Sequence, residues 1–227
     1  MTVLAKNIQV IGDCLRQFEQ RYNRPPNSVQ LLAVSKKQSI EKIRQANAAG
    51  LVDFGENYLQ EALHKIENLQ KLGLCWHFIG PVQTNKTRAI AEHFQWVHSV
   101  DRGKIAKRLS QQRAGNSSAL NVCVQVNLAN EESKSGTSLQ QTRELCDYIA
   151  QLPNLRLRGL MAIPEAVQNL DSQRASFKLL SLEFDRLKVL FPTMDTLSMG
   201  MSNDFEAAIA EGSTLVRIGT ALFGSRV

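Results

Sequence analysis

Eight short apolar runs, each followed by a stretch of helical spacing, constrain this 227-residue chain more than any single motif. The runs occupy residues 31–35, 52–54, 75–79, 96–100, 121–127, 155–162, 196–199 and 214–218. Short strands that alternate with helices read as βα units and imply a parallel sheet. Eight such units closing on themselves make a (β/α)8 or TIM barrel, here behind an extra N-terminal helix. An open doubly wound sheet is the alternative, but eight strands in a chain of this size pack more naturally as a closed barrel. With no linker and no second composition regime, residues 1–227 are expected to form a single domain.

The helical stretches carry their own punctuation. Leu4, Ile8, Ile11, Leu15 and Phe18 recur at spacings of three and four behind Thr2, a candidate N-cap. Ser39 and Ser138 are placed to cap later helices, and Gly50 suits a C-terminal cap. Residues 128–137 are polar and read as a loop.

The formal charge of +6 raises the question of a polyanionic partner. Aromatics are only 6%, however, and the basic residues are scattered, so nucleic acid is not expected. The densest basic group, Arg102, Lys104, Lys107, Arg108 and Arg113, reads as the solvated face of one helix. The four cysteines stand far apart without a C-x-x-C pair. No apolar run approaches a membrane span, and residues 1–13 lack the apolar core of a signal peptide. A reduced, cytoplasmic protein that does not engage membranes is expected, and a monomer, since nothing demands an oligomer.

The first strand ends abruptly in two lysines, Lys36 and Lys37. Side chains alternate along a strand, so Lys36 shares a face with Leu32 and Val34 and sits at the C-terminal end, where α/β proteins bind ligands. An amine held there is partly desolvated, its pKa falls, and it can add to a carbonyl as an imine. The plainer reading is that both lysines end the strand in water.

Other strand ends add polar groups: Glu56-Asn57, His77, His98, Asn127, Met161, residues 198–204, and Arg217 with Gly219 and Thr220. In a barrel all of these are expected at one mouth. Loops after strands seven and eight commonly bind phosphate in this fold, and Ser198, Gly200, Ser202, Gly219 and Thr220 suit that task. Ordinary turn chemistry is the alternative for the glycines. Arg217 falls on the barrel-facing side with Leu215, where it needs the ring nitrogen of a bound heterocycle or a structural carboxylate. No H-E-x-x-H, zinc spacing or G-x-S-x-G elbow is present, and the spacing from Gly219 to Gly224 lacks the lysine of a P-loop. A lysine beside a phosphate cup, without a metal, points to pyridoxal 5'-phosphate (PLP) held as a Schiff base.

The stretches LLAVSKK (31–37), FGENYLQE (54–61), HFIGPVQTNK (77–86), HSVD (98–101), GLMAIP (159–164), LSMGMSND (197–204) and GSTLVRIGTALFG (212–224) resemble the pyridoxal phosphate homeostasis proteins, the YggS/PROSC family. The resemblance spans nearly the whole chain. It implies a barrel related to the alanine racemase N-terminal domain, with PLP on Lys36 and Arg217 facing the pyridine nitrogen. It assigns Ser198, Ser202, Gly219 and Thr220 to the phosphate cup and Asn57 to the ring side. It further implies no robust catalysis, but storage, delivery or buffering of PLP, with apo-enzymes as possible recipients. An arginine at the pyridine nitrogen would weaken the ring as an electron sink, and the second domain from which related racemases draw a base is not expected here. The rival readings are a small PLP-dependent amino-acid racemase and a module that binds protein partners. Lys134, in the loop after strand five, is a candidate second amine for PLP in transit, or simply a solvated lysine.

Overall fold

The computed structural model describes residues 2–113, 115, 118–128, 135–165 and 167–224. Eight parallel strands close into a barrel in sequence order: β1 (Gln30–Val34), β2 (Asp53–Glu56), β3 (Cys75–Phe78), β4 (Trp96–Val100), β5 (Leu120–Gln125), β6 (Leu155–Met161), β7 (Thr196–Ser198) and β8 (Leu215–Ile218). The seam joins first strand to last, with Leu32 opposite Arg217.

Helices α1 (Val3–Arg21), α2 (Ile40–Ala48), α3 (Leu59–Leu69), α4 (Thr87–His93), α5 (Gly103–Arg113), α6 (Leu139–Ala150), α7 (Leu170–Lys188), α8 (Phe205–Ala210) and α9 (Thr220–Phe223) surround the strands. The expected caps form. Thr2, Ser39 and Ser138 accept from the backbone N–H three residues on. The extra helix α1 lies against the end of the barrel sequence, with Phe18 edge-on to Phe205 and Asn7 donating to the Leu222 carbonyl. Helix α9 was not expected. At four residues it offers no periodicity to read.

The apolar core divides in two. Most of it lies between the strands and the helix ring, as the layered architecture requires. A small cluster of Leu32, Val34, Ile79 and Leu215 fills part of the barrel lumen. Polar side chains, including His77, His98, Ser198 and Arg217, are also fully enclosed. The solvated basic face expected on α5 is corrected at its end. Arg113 is buried and donates to the carbonyls of Ala91, Phe94 and Ser118, tying α5 to α4. Among the described residues no helix is long and apolar enough to cross a membrane.

Candidate functional site

A cavity of ≈ 710 Å³ opens at the C-terminal ends of the strands, lined by Lys36, Asn57, Ser202, Asp204, Arg217, Gly219 and Thr220 among others. Its size suits a small cofactor. A side pocket of ≈ 240 Å³ shares Asn57, Ile79 and Ile163 with it and adds the amides Gln125 and Asn127. A groove of ≈ 560 Å³ between α5 and α6 gathers Asp101, Glu144, Asp147 and Tyr148, without an amine beside an anion cup.

Lys36 stands two residues beyond the end of β1, half-buried, on the lumen side that alternation from Leu32 and Val34 predicts. The residues on both sides of it are fixed by one buried ion cluster. Lys65, from α3, donates through Nζ to the Ser35 carbonyl at 2.7 Å, to Glu56 Oε1 at 2.7 Å and to Glu61 Oε1 at 2.6 Å. The Ser35 hydroxyl donates to Glu56 Oε1, and the backbone N–H of Lys37 donates to Glu61 Oε1. Lys37 adopts the left-handed conformation, φ 59°, and turns away to solvent. Burial pushes the Glu56 carboxyl up in pKa, while Lys65 and Ser35 oppose the shift. Glu56 therefore does not stand at the mouth as expected. It shares the outward face of β2 with Phe54 and meets α3, whereas Gly55 faces the lumen near Leu32.

Asn57 lines the cavity, and its Oδ1 is buried without a hydrogen-bond partner among the described residues. Its backbone is pinned by Gly80: a Cβ there would come within 2.2 Å of the Asn57 carbonyl oxygen, so only glycine allows the contact. Across the cavity, Ser202, Gly219 and Thr220 form a rim of hydroxyls and open backbone, and Ser202 Oγ accepts from the Ala221 N–H at 3.5 Å. Gly200, at φ 93°, makes the turn after β7 and accepts the Arg217 N–H. Asp204, the last residue of the polar run expected at the mouth, lines the cavity and organises this turn by accepting from the Met201 N–H, and burial raises its pKa.

Arg217 is enclosed. Nη1 donates to the Ser198 carbonyl at 2.6 Å and to its hydroxyl at 2.9 Å, and Nη2 donates to the Ala162 carbonyl at 2.9 Å. Burial lowers its pKa to about 10, with Asp204 opposing. Among the described residues no carboxylate lies within ion-pair distance, so the structural ion pair is not what the barrel provides. Ser198 sits beneath the guanidinium, fully buried, with its hydroxyl engaged by Arg217 and His98. Of the two candidate serines, Ser202 lines the cavity.

His77 and His98 also depart from the expectation that they sit at the mouth. Both lie inside the barrel, fully buried and hydrogen-bonded to each other. Asp53, Cys75 and His77 come together at its base, their ligand-capable atoms within 4.8 Å of one another, and already hydrogen-bond among themselves. Asp53 and Cys75 come from two strands, so no spacing announces the group. Lys65 and Glu61 were overlooked although their i, i+4 spacing on α3 was visible. Lys134 lies outside the described residues.

The family model for "Alanine racemase, N-terminal domain" matches residues 8–227. The pyridoxal phosphate homeostasis protein of Pseudomonas aeruginosa is 57% identical over 226 residues, covering 100% of this chain and 97% of that one. That of Escherichia coli K12 is 48% identical, covering 100% and 98%. Among solved structures, PipY of Synechococcus elongatus with PLP bound superposes with a TM-score of 0.85 at 37% identity, covering 97% and 100%. An alanine racemase from Corynebacterium glutamicum shares the fold, with a TM-score of 0.67 at 17% identity, over 98% of this chain and 60% of that one.

Proposed function

The chain belongs to the alanine racemase N-terminal domain family and, within it, to the pyridoxal phosphate homeostasis proteins, and from this premise we propose that it holds PLP on Lys36 as a Schiff base and serves PLP and amino- or keto-acid homeostasis without robust catalysis. One observation carries the reading. An amine, a hydroxyl-and-glycine rim and a buried guanidinium converge on a single cavity of cofactor size. These are complementary to the aldehyde, the phosphate and the ring nitrogen of PLP. The orphaned Asn57 Oδ1 supplies a further polar contact beside the ring.

When bound, PLP supplies an aldehyde and an electron-accepting ring. The protein's residues determine how far that ring is used. Lys36 offers the amine. Ser202, Gly219 and Thr220 hold the phosphate, with Ser198 acting from below through Arg217 rather than on the phosphate itself. Arg217, a cation held by neutral oxygens, disfavours a proton on the neighbouring ring nitrogen, so the ring stays a weak electron sink. A site built this way retains and releases its cofactor better than it transforms amino acids, and apo-enzymes are the natural recipients. The four free thiols suit a reducing, cytoplasmic setting.

The test compares the protein with Lys36→Ala after PLP addition and borohydride reduction. A visible absorbance band and a reduced adduct mapped by mass spectrometry to Lys36, both absent in the variant, are expected. No adduct in the parent protein would remove the assignment. Incubation with L-alanine or L-serine is expected to yield no appreciable D-isomer, and steady turnover would reassign the protein as a racemase.

A further inference from the structure

An unbroken hydrogen-bonded row crosses the barrel lumen beneath the cavity. Arg217 Nη1 lies 2.9 Å from Ser198 Oγ, Ser198 Oγ 2.9 Å from His98 Nδ1, His98 Nε2 2.9 Å from His77 Nδ1, and His77 Nε2 3.0 Å from Asp53 Oδ1. Asp53 opens β2, so the row ends at the opposite end of the barrel from the cavity. The Asp53 carboxylate, half-buried, also accepts from Gln30. The His77 ring lies flat on Trp96, 5.3 Å between centroids at 8°, which holds its plane.

The carboxylate end fixes the direction of each proton along the row, and the guanidinium end is compatible with it. A carboxylate only accepts and a guanidinium only donates. Burial pushes the Asp53 carboxyl up, but its neighbours, His77 first and then Gln30 and Cys75, outweigh it and its pKa is net lowered, so it stays ionised. Burial lowers both histidines, so each ring carries one proton. His77 must then donate from Nε2 to Asp53, leaving Nδ1 to accept from His98 Nε2. His98 Nδ1 in turn accepts the Ser198 proton. The Ser198 hydroxyl is thereby turned away from Arg217 and offers it a lone pair. A reversed row would face an unprotonated His77 Nε2 toward the ionised Asp53 oxygen, acceptor against acceptor.

We propose that Asp53, His77 and His98 are positioning residues that, through Ser198, orient Arg217 from the far end of the barrel and so set the pole of the cavity facing a bound PLP ring. This rests on the PLP reading above. Binding at the mouth is then transmitted to the base as a change in the electronic environment of both rings, with no movement of backbone.

Nitrogen-15 NMR of the full-length protein, labelled at histidine, tests this before and after PLP loading. Before loading, His77 and His98 are expected as neutral Nε2–H tautomers. After loading, verified by the reduced Lys36 adduct, both are expected to shift while the exposed His64 and His93 stay in place. In Asp53→Leu the uniform tautomers are expected to be lost and PLP affinity to weaken on the order of threefold to tenfold, the equivalent of one weakened hydrogen bond. An Nδ1–H or doubly protonated ring in the parent protein would overturn the row. Loading that leaves both rings unmoved, or unchanged affinity in a folded Asp53→Leu, would overturn the positioning role while the PLP assignment stands. If no adduct forms, that assignment and the positioning role fall together.

Discussion

Lys65 and Arg217 are both buried cations beside the same cavity, and the barrel stabilises them by opposite means. Lys65 is surrounded by charge: Glu56 and Glu61 lie within 2.7 Å, and the Ser35 carbonyl completes its shell. Arg217 rests on two backbone carbonyls and a hydroxyl, with Asp204 as an opposite charge nearby, and that hydroxyl is linked through His98 and His77 to Asp53. The difference sorts structure from function. A locally paired charge is silent toward a ligand but braces the turn on which Lys36 stands. A charge solvated by dipoles keeps its field and can direct it into the cavity.

The comparison breaks most visibly at Lys65. Lys65→Ala leaves Glu56 buried without a counter-ion and is expected to cost about 3–5 kcal/mol in chemical denaturation. Replacing the pair together, Lys65→Met with Glu56→Leu, is expected to recover most of that loss, since well-packed apolar side chains substitute for a buried pair. A double variant as unstable as the single one would mean that Glu56 acts through Ser35 rather than through Lys65.

The Arg217 side is probed by pH. The folded pKa values of His77 and His98 lie below the ordinary 6.5, so the unfolded chain binds more protons. Stability is therefore full above about pH 6.5 and falls as pH drops toward the lowered values, at up to about 2.7 kcal/mol per pH unit when both rings titrate. Denaturation midpoints between pH 7.5 and 5 measure the slope, and a flat profile would mean that the rings are not both neutral. The smallest effect belongs to Glu61, which is partly solvated. Glu61→Gln is expected to cost no more than about 1 kcal/mol, within the range of exposed pairs.

Local signals were legible in the sequence and contacts set by barrel closure were not. The caps at Thr2, Ser39 and Ser138 act on a neighbour three residues away, and the strand runs carry their own apolar pattern. Lys36 and Arg217 were found because alternation from Leu32 and Leu215 points them inward. The same rule, applied from Phe54, would have turned Glu56 outward. The depth of His77 and His98 depends instead on strand stagger, which no single strand encodes. Ser198 and Ser202 are alike in composition and separate only when β7 ends and the chain turns at Gly200.

Lys36 follows the first strand and Arg217 lies on the last, and the two meet only because β1 and β8 pair across the seam. During synthesis the amine is made early and the guanidinium almost at the end. Until β8 docks, the lumen is open at this edge and there is no pocket to fill. Cofactor capture is therefore a report of completed closure. Because a ligand that binds only the native state stabilises it by mass action, PLP present during folding acts as a latch on the longest-range pairing in the molecule.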